Sequence, residues 1–314
     1  MRRLHILNSL YNIYPNFSNM DNVYATSEFL SDDDLAMLTE VMDSALAEET
    51  QNNTTTESTQ EESQEQEPII PENSRTILLD EYTSRFNSAI WYDKIKTLKV
   101  ILAGVGGIGS YVGFLLSRLQ VFKLTLYDPD IVESVNISGQ LYPINSIGRF
   151  KAEELARMLG DFSNFYNYNV RCDRFTEDSP SGPIMICGFD NMGARKVFFE
   201  SWKKHVSLCG NPKECLFIDG RLAAEEFQVL TIQGNDERAI KEYEEKWLFS
   251  DEEAETTICS YKQTTFMANM IASVMVNAFV NFAANLSDPA PIIPRDIPFF
   301  ISYSADTMFT KVEM

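Results

Sequence analysis

A doubly wound α/β fold on a mainly parallel sheet is predicted by three observations. From about residue 75 onward, short apolar runs alternate with segments of helical periodicity. The first of these runs, residues 98–103, is apolar apart from Lys99, as a parallel strand buried on both faces requires. That run ends in a glycine cluster, Gly104-Val105-Gly106-Gly107-Ile108-Gly109, which opens the next helical segment.

The elements follow in order. Residues 108–120 read as a helix and 123–128 (KLTLYD) as a second strand. Lys151 to Leu159 is helical, 183–187 is a strand and 193–204 a helix. Residues 215–219 and 227–232 read as further strands. Residues 237–257 are charged and helical in part. The apolar run 267–285 is long enough to span a bilayer, but Asn269, Asn277 and Asn281 keep one stripe polar, so it reads as a buried core helix. No internal repeat is visible.

The chain is strongly acidic, with a formal net charge of −20, and the charge is unevenly placed. Residues 1–74 carry fifteen Asp and Glu against two Arg, a net of −13; the remaining 240 residues carry only −7. Residues 1–48 form an N-terminal arm with a short amphipathic helix, its apolar positions Leu35, Leu38, Val41, Met42 and Leu46 following an Asp cluster. Residues 49–74 form an acidic linker, mostly Thr, Gln, Ser, Asn and Glu, too poor in apolar anchors to offset its chain entropy; it is read as disordered. Residues 75–314 form one domain. This charge pattern argues against nucleic acid as a partner, and the polar interruptions of the N-terminal and 267–285 runs argue against a membrane. Five cysteines, an odd number with no CxxC pair, point to a reducing cytoplasm rather than a disulfide framework or a four-cysteine zinc site.

The glycine loop supplies the first chemistry. Gly104 permits a tight turn, Gly106 and Gly107 let the backbone approach a phosphate, and Gly109 lets the helix pack on the strand. The helix N-terminus then offers free N–H groups and a positive dipole end to an anion. With Asp128 ending the second strand, the pattern fits a Rossmann-like nucleotide site and, on these residues alone, equally a dinucleotide-binding dehydrogenase.

Four further motifs favour one reading. Asp128-Pro129-Asp130 resembles the D-x-D, and Val135-Asn136-Ile137-Ser138-Gly139-Gln140 the S-N-x-x-R-Q, of the superfamily of ThiF, MoeB and the ubiquitin-activating enzymes. Ile147 to Glu153 resembles its V-G-x-x-K-x-E, and Asp190-Asn191 with Arg195 its D-N-x-x-x-R. The resemblance covers residues 98–200 and extends more weakly to about 285. It implies ATP-dependent adenylation of the C-terminal carboxylate of a small β-grasp ubiquitin-like or sulfur-carrier protein, by a homodimer or a heterodimer with a related chain. It places Asp128 on the ribose, with Asp130, Asn136 and Asn191 in the same pocket, Lys151 on the phosphates, and Asp190 on Mg²⁺. Arg85 resembles an arginine that acts across a dimer. Cys259, in Cys259-Ser260-Tyr261-Lys262, resembles a C-T-x-K/R stretch and would accept an acyl group as a thioester.

Bland readings stand beside these. Lys151 could pair with Glu154, Asp190 could cap the helix through Arg195, and Arg221 of Asp219-Gly220-Arg221 could bridge to Glu225 or Glu226. Cys259 could be a small buried thiol, as the other four cysteines are expected to be. One departure stands out: the motif's arginine is Gly139 here. Arg149 or a partner's arginine would replace it, or the subunit is catalytically silent and serves to bind and position a partner.

Overall fold

The computed structural model of the chain describes residues 81–249 and 263–314. The predicted arm, the linker and Cys259 lie outside them. All described residues belong to one compact unit, Ile70–Met314. In chain order the elements are α1 (Tyr92–Thr97), β1 (Val100–Ala103), α2 (Gly107–Arg118), β2 (Leu124–Tyr127), α3 (Lys151–Ser163), β3 (Asn169–Arg171), β4 (Ile184–Cys187) and α4 (Met192–Leu208). They continue with β5 (Leu216–Ala223), β6 (Glu226–Gln233), α5 (Glu237–Lys246), α6 (Thr265–Asn285), β7 (Phe300–Ser304) and β8 (Phe309–Glu313).

The eight strands form one sheet in the order β3-β2-β1-β4-β5-β6-β7-β8. The first five run parallel. From β1 the chain winds outward through β2 to β3, then returns to place β4 on the other side of β1. The crevice at that reversal, above the C-terminal ends of β1 and β4, is where open α/β sheets hold ligands. The remaining pairings, β5–β6, β6–β7 and β7–β8, are antiparallel. The sheet is thus mainly parallel, as predicted, with β6, β7 and β8 added antiparallel along one edge. The β5–β6 connection is a tight hairpin in which Ala224 adopts a left-handed φ of 55°. No Asn-Gly or Asp-Gly announces it.

The pleat of β1 explains its unbroken apolar run. Val100 and Leu102 enter a core with α1, α2, α3 and α6, whereas Ile101 and Ala103 enter a second core with α4 and α5. Helix α6 is, by length and composition, a candidate membrane span among the described residues. Here it packs against α2, β5 and β6. Its asparagine stripe has a structural use: Asn281 donates to the Asp296 carbonyl (2.9 Å), and Asn285 pairs both ways with the Arg295 backbone, fastening the loop into β7.

Candidate nucleotide-binding site

The glycine loop lies at the crevice. Gly104 has φ +79°, and a Cβ built on it would stand 2.7 Å from the Gly188 carbonyl carbon, so only glycine fits where β1 and β4 end side by side. A Cβ on Gly109 would lie 2.9 Å from the carbonyl carbon of Gly104, which is the close helix–strand approach the spacing predicts.

Asp128 sits at the end of β2 and is buried. One of its oxygens accepts from the Val105 N–H (2.8 Å) and the other from the Asp130 N–H (2.9 Å). The carboxylate therefore shapes the glycine loop from below, while each oxygen keeps a lone pair for a further donor. Burial raises its pKa above the ordinary value, against those two hydrogen bonds and the charge of Lys151. Tyr142 fixes the same corner: its buried hydroxyl donates to the Val105 carbonyl (2.7 Å) and lies 3.1 Å from that of Lys151. Tyr142 was not singled out from the sequence, because a tyrosine in a loop carries no pattern.

Lys151 opens α3 with a buried stem, and its Nζ pairs with Asp130 at 3.1 Å. It does not pair with Glu154, as the exposed-helix alternative required. Glu154 is also buried and is held by Arg149 (3.0 Å), Arg157 (2.8 Å) and the Ser146 hydroxyl (2.7 Å). Burial opposes its charge, but these donors outweigh it and bring its pKa down to about 2. Arg149, the candidate replacement for the motif's arginine, is thus engaged by Glu154.

The other predicted residues are more scattered. Asn136 is half-buried and its Oδ1 accepts from the Glu133 N–H (2.9 Å), closing a turn. Asp190 is exposed just beyond β4 and is not the helix cap. Asn191 is the cap, accepting from the Ala194 N–H at 2.8 Å, and its amide donates to Asp190 at 3.3 Å. Arg85 is exposed in a turn ahead of α1. Cys187 and Cys215 are buried, and burial pushes both thiols up to about 12; Cys172 and Cys209 are half-buried. Among the described residues no cluster of three or more His, Cys, Asp or Glu could hold a metal ion.

Arg195 and Arg221 take part in a network the sequence did not suggest. Both pair with the fully buried Asp219, Arg221 at 2.8 Å, so the expected Glu225 or Glu226 bridge is not formed. Tyr243 adds its hydroxyl to Asp219 at 3.0 Å. Arg195 also reaches the Phe189 carbonyl, bracing the turn that carries Asp190.

A parallel sheet with a glycine cradle at its switch point and an acid at the end of the adjacent strand defines a Rossmann-like nucleotide-binding fold. The chain belongs to the ThiF family, whose model matches residues 74–307. It is 31% identical over 122 residues to Ubiquitin-like modifier-activating enzyme 5 of Xenopus laevis, covering 33% of this chain and 30% of that protein. Against the Dictyostelium discoideum protein of the same name, identity is 34% over 183 residues, covering 48% and 47%. The chain thus spans less than half the length of these curated relatives. Among solved structures it resembles E. coli MccB with ATP (TM-score 0.55, 16% identity, 78% of this chain and 79% of that one). It also resembles PaaA (TM-score 0.54, 14% identity, 96% and 88%). At these identities the likeness concerns the fold.

Proposed function

We propose that the protein uses ATP to adenylate the C-terminal carboxylate of a small ubiquitin-like or sulfur-carrier protein. The reading rests chiefly on one observation: the glycine cradle, Asp128 and Lys151 converge on the crevice and are physically coupled, Asp128 to Val105 and Asp130 by hydrogen bonds and Asp130 to Lys151 by an ion pair. Membership of the ThiF family, relatives named as ubiquitin-like modifier-activating enzymes, and solved structures of MccB with ATP and with MccA support it.

The residues present fit a nucleotide. The cradle admits no side chain at Gly104 or Gly109, and Gln140, beside it, has a buried Oε1 without a partner among the described residues. The free lone pairs of Asp128 would accept the ribose hydroxyls, and Lys151 would exchange Asp130 for phosphate oxygens as a point charge. Asp190, exposed beside the crevice, would hold Mg²⁺ through a single carboxylate, as that ion commonly binds with water and phosphate completing its shell. ATP supplies an activated α-phosphate to which the substrate carboxylate bonds as pyrophosphate leaves. Cys259 would then take the acyl group as a thioester, releasing AMP. We place the subunit in a dimer, with itself or a related chain, through which Arg85 would reach a neighbouring site.

The protein incubated with ATP, Mg²⁺ and β-grasp proteins ending in glycine should yield an acyl-adenylate, or a thiol-sensitive adduct, detectable by mass spectrometry. No adduct with any of them, together with absent pyrophosphate exchange, would leave the second reading. That reading is a catalytically silent subunit that positions a partner, and Gly139 in place of the motif's arginine favours it.

A further inference from the structure

Gly139 leaves a vacancy beside the glycine loop, and a residue distant in sequence fills it. Gln263 lies just before α6, its backbone bridged in parallel to Ala224 at the tip of the β5–β6 hairpin. Two residues later the Thr265 hydroxyl donates to the Ser138 carbonyl, so the start of α6 is tied to the loop that carries Gly139. These anchors throw the Gln263 side chain across two glycines at once. A Cβ built on Gly107 would stand 2.6 Å from its Cδ and 2.8 Å from its Nε2. One built on Gly139 would stand 3.0 Å from the same Nε2 and 3.1 Å from Cγ. A side chain at Gly107 would displace the carboxamide, and one at Gly139 would press against it so that it had to give way.

The carboxamide has no hydrogen-bond partner among the described residues. Gln140 flanks the loop from the other side. Its Nε2 lies 3.6 Å from the Cβ position of Gly106, the residue is only 8% exposed, and its Oε1 is buried without a partner among the described residues. A half-buried carboxamide with no protein partner among the described residues, Gln263, and a buried one with an unpaired oxygen, Gln140, therefore bracket Gly106 and Gly107, where the positive end of α2 favours an anion.

We propose that Gln263 is a phosphate-binding residue of this site, a neutral donor occupying the space that Gly139 leaves open, so that Gly139 and Gln263 act as a matched pair. The inference rests on the nucleotide reading above and goes beyond it by naming a residue outside the motifs. A carboxamide offers two N–H donors and no charge, so it would orient the triphosphate without adding a cation.

The test is calorimetric titration of the full chain with ATP and Mg²⁺, and with adenosine. Gln263→Ala should weaken ATP binding about tenfold or more, the usual loss for one hydrogen bond to a charged group. Gln263→Glu should weaken it further by repulsion. Both should bind adenosine as the wild type does, and the ligand-free proteins should melt together with it. Gly139→Arg combined with Gln263→Ala should recover ATP affinity, because the guanidinium enters the vacated space. ATP affinity unchanged in both single variants, or tightened in Gln263→Ala, overturns the inference alone. A wild-type chain that binds no nucleotide overturns both the inference and the reading beneath it.

Discussion

Two acid–base pairs lie within the C-terminal rim of the same sheet, and they are built oppositely. Asp219 is 0% exposed; Arg195, Arg221 and Tyr243 all reach it, and the guanidinium of Arg221 lies under the rings of Trp247 and Phe249. The pair of Lys151 with Asp130 has one buried member and one, Asp130, whose side chain is 63% exposed. The first carboxylate is saturated by the protein and leaves nothing for a ligand. The second pair holds its cation against a solvated partner, and the loss of such a contact costs little. Both pairs lie near the C-terminal side of the parallel strands; what separates them is how fully the protein satisfies each carboxylate.

Variants can break that contrast. The largest effect should come from Asp219→Asn, which leaves the buried Arg195 and the half-buried Arg221 without their shared countercharge. Loss of a buried ionic partner costs about 3–5 kcal/mol, so urea unfolding should shift by that amount whatever happens to activity. A stable Asp219→Asn protein would refute the brace. Asp190→Ala should do the converse. Its side chain is exposed, so the melting temperature should hold, while adenylation falls on the order of 10²–10³ for loss of one electrostatic stabiliser. Unchanged pyrophosphate exchange in that variant would remove Asp190 from the chemistry.

Glu154 sharpens the comparison at intermediate size. Its pKa of about 2 lies below the ordinary 4.5, so its contribution is fully present above about pH 4.5 and is lost as pH falls through about 2. Glu154→Gln should cost about 1.5–3 kcal/mol at pH 7 by weakening hydrogen bonds to charged partners, and the gap from wild type should close toward pH 2. A gap independent of pH would mean that packing, not charge, holds Glu154. The smallest effect on exchange is expected for Cys259→Ala. Adenylation precedes acyl transfer, so exchange should persist while a thiol-sensitive adduct on a non-reducing gel disappears. An adduct that survives would make Cys259 a packing residue.

The sequence was most legible where one strand and one loop carry their own signal. The apolar run into Gly104 marked β1, the cradle and the start of α2; Asp128 followed as the acid ending the next strand, and the resemblance of residues 147–153 to a family motif singled out Lys151, whose partner Asp130 is two residues from Asp128. What it hid were relationships between distant segments. Lys151 was weighed against Glu154 three positions on, but its partner Asp130 lies twenty-one positions back, brought close by the Ile131–Phe150 bridge. Arg221 was weighed against its own hairpin turn, yet the pleat puts it on the face of Asp219 two residues earlier. The antiparallel β6–β8 extension escaped because Ala224 reverses the chain without a glycine, and Gln263 escaped because its meaning lies in the missing side chains of Gly107 and Gly139.

The most direct test is ATP–pyrophosphate exchange by the full chain with Mg²⁺ and a β-grasp protein ending in glycine, comparing wild type with Lys151→Ala alongside thermal melts of both. The releasable-cation account predicts exchange by the wild type that depends on the added carboxylate, loss of at least tenfold in Lys151→Ala, and melting within a degree or two of wild type. Full exchange in Lys151→Ala, or a loss of activity matched by a collapse in stability, would contradict it.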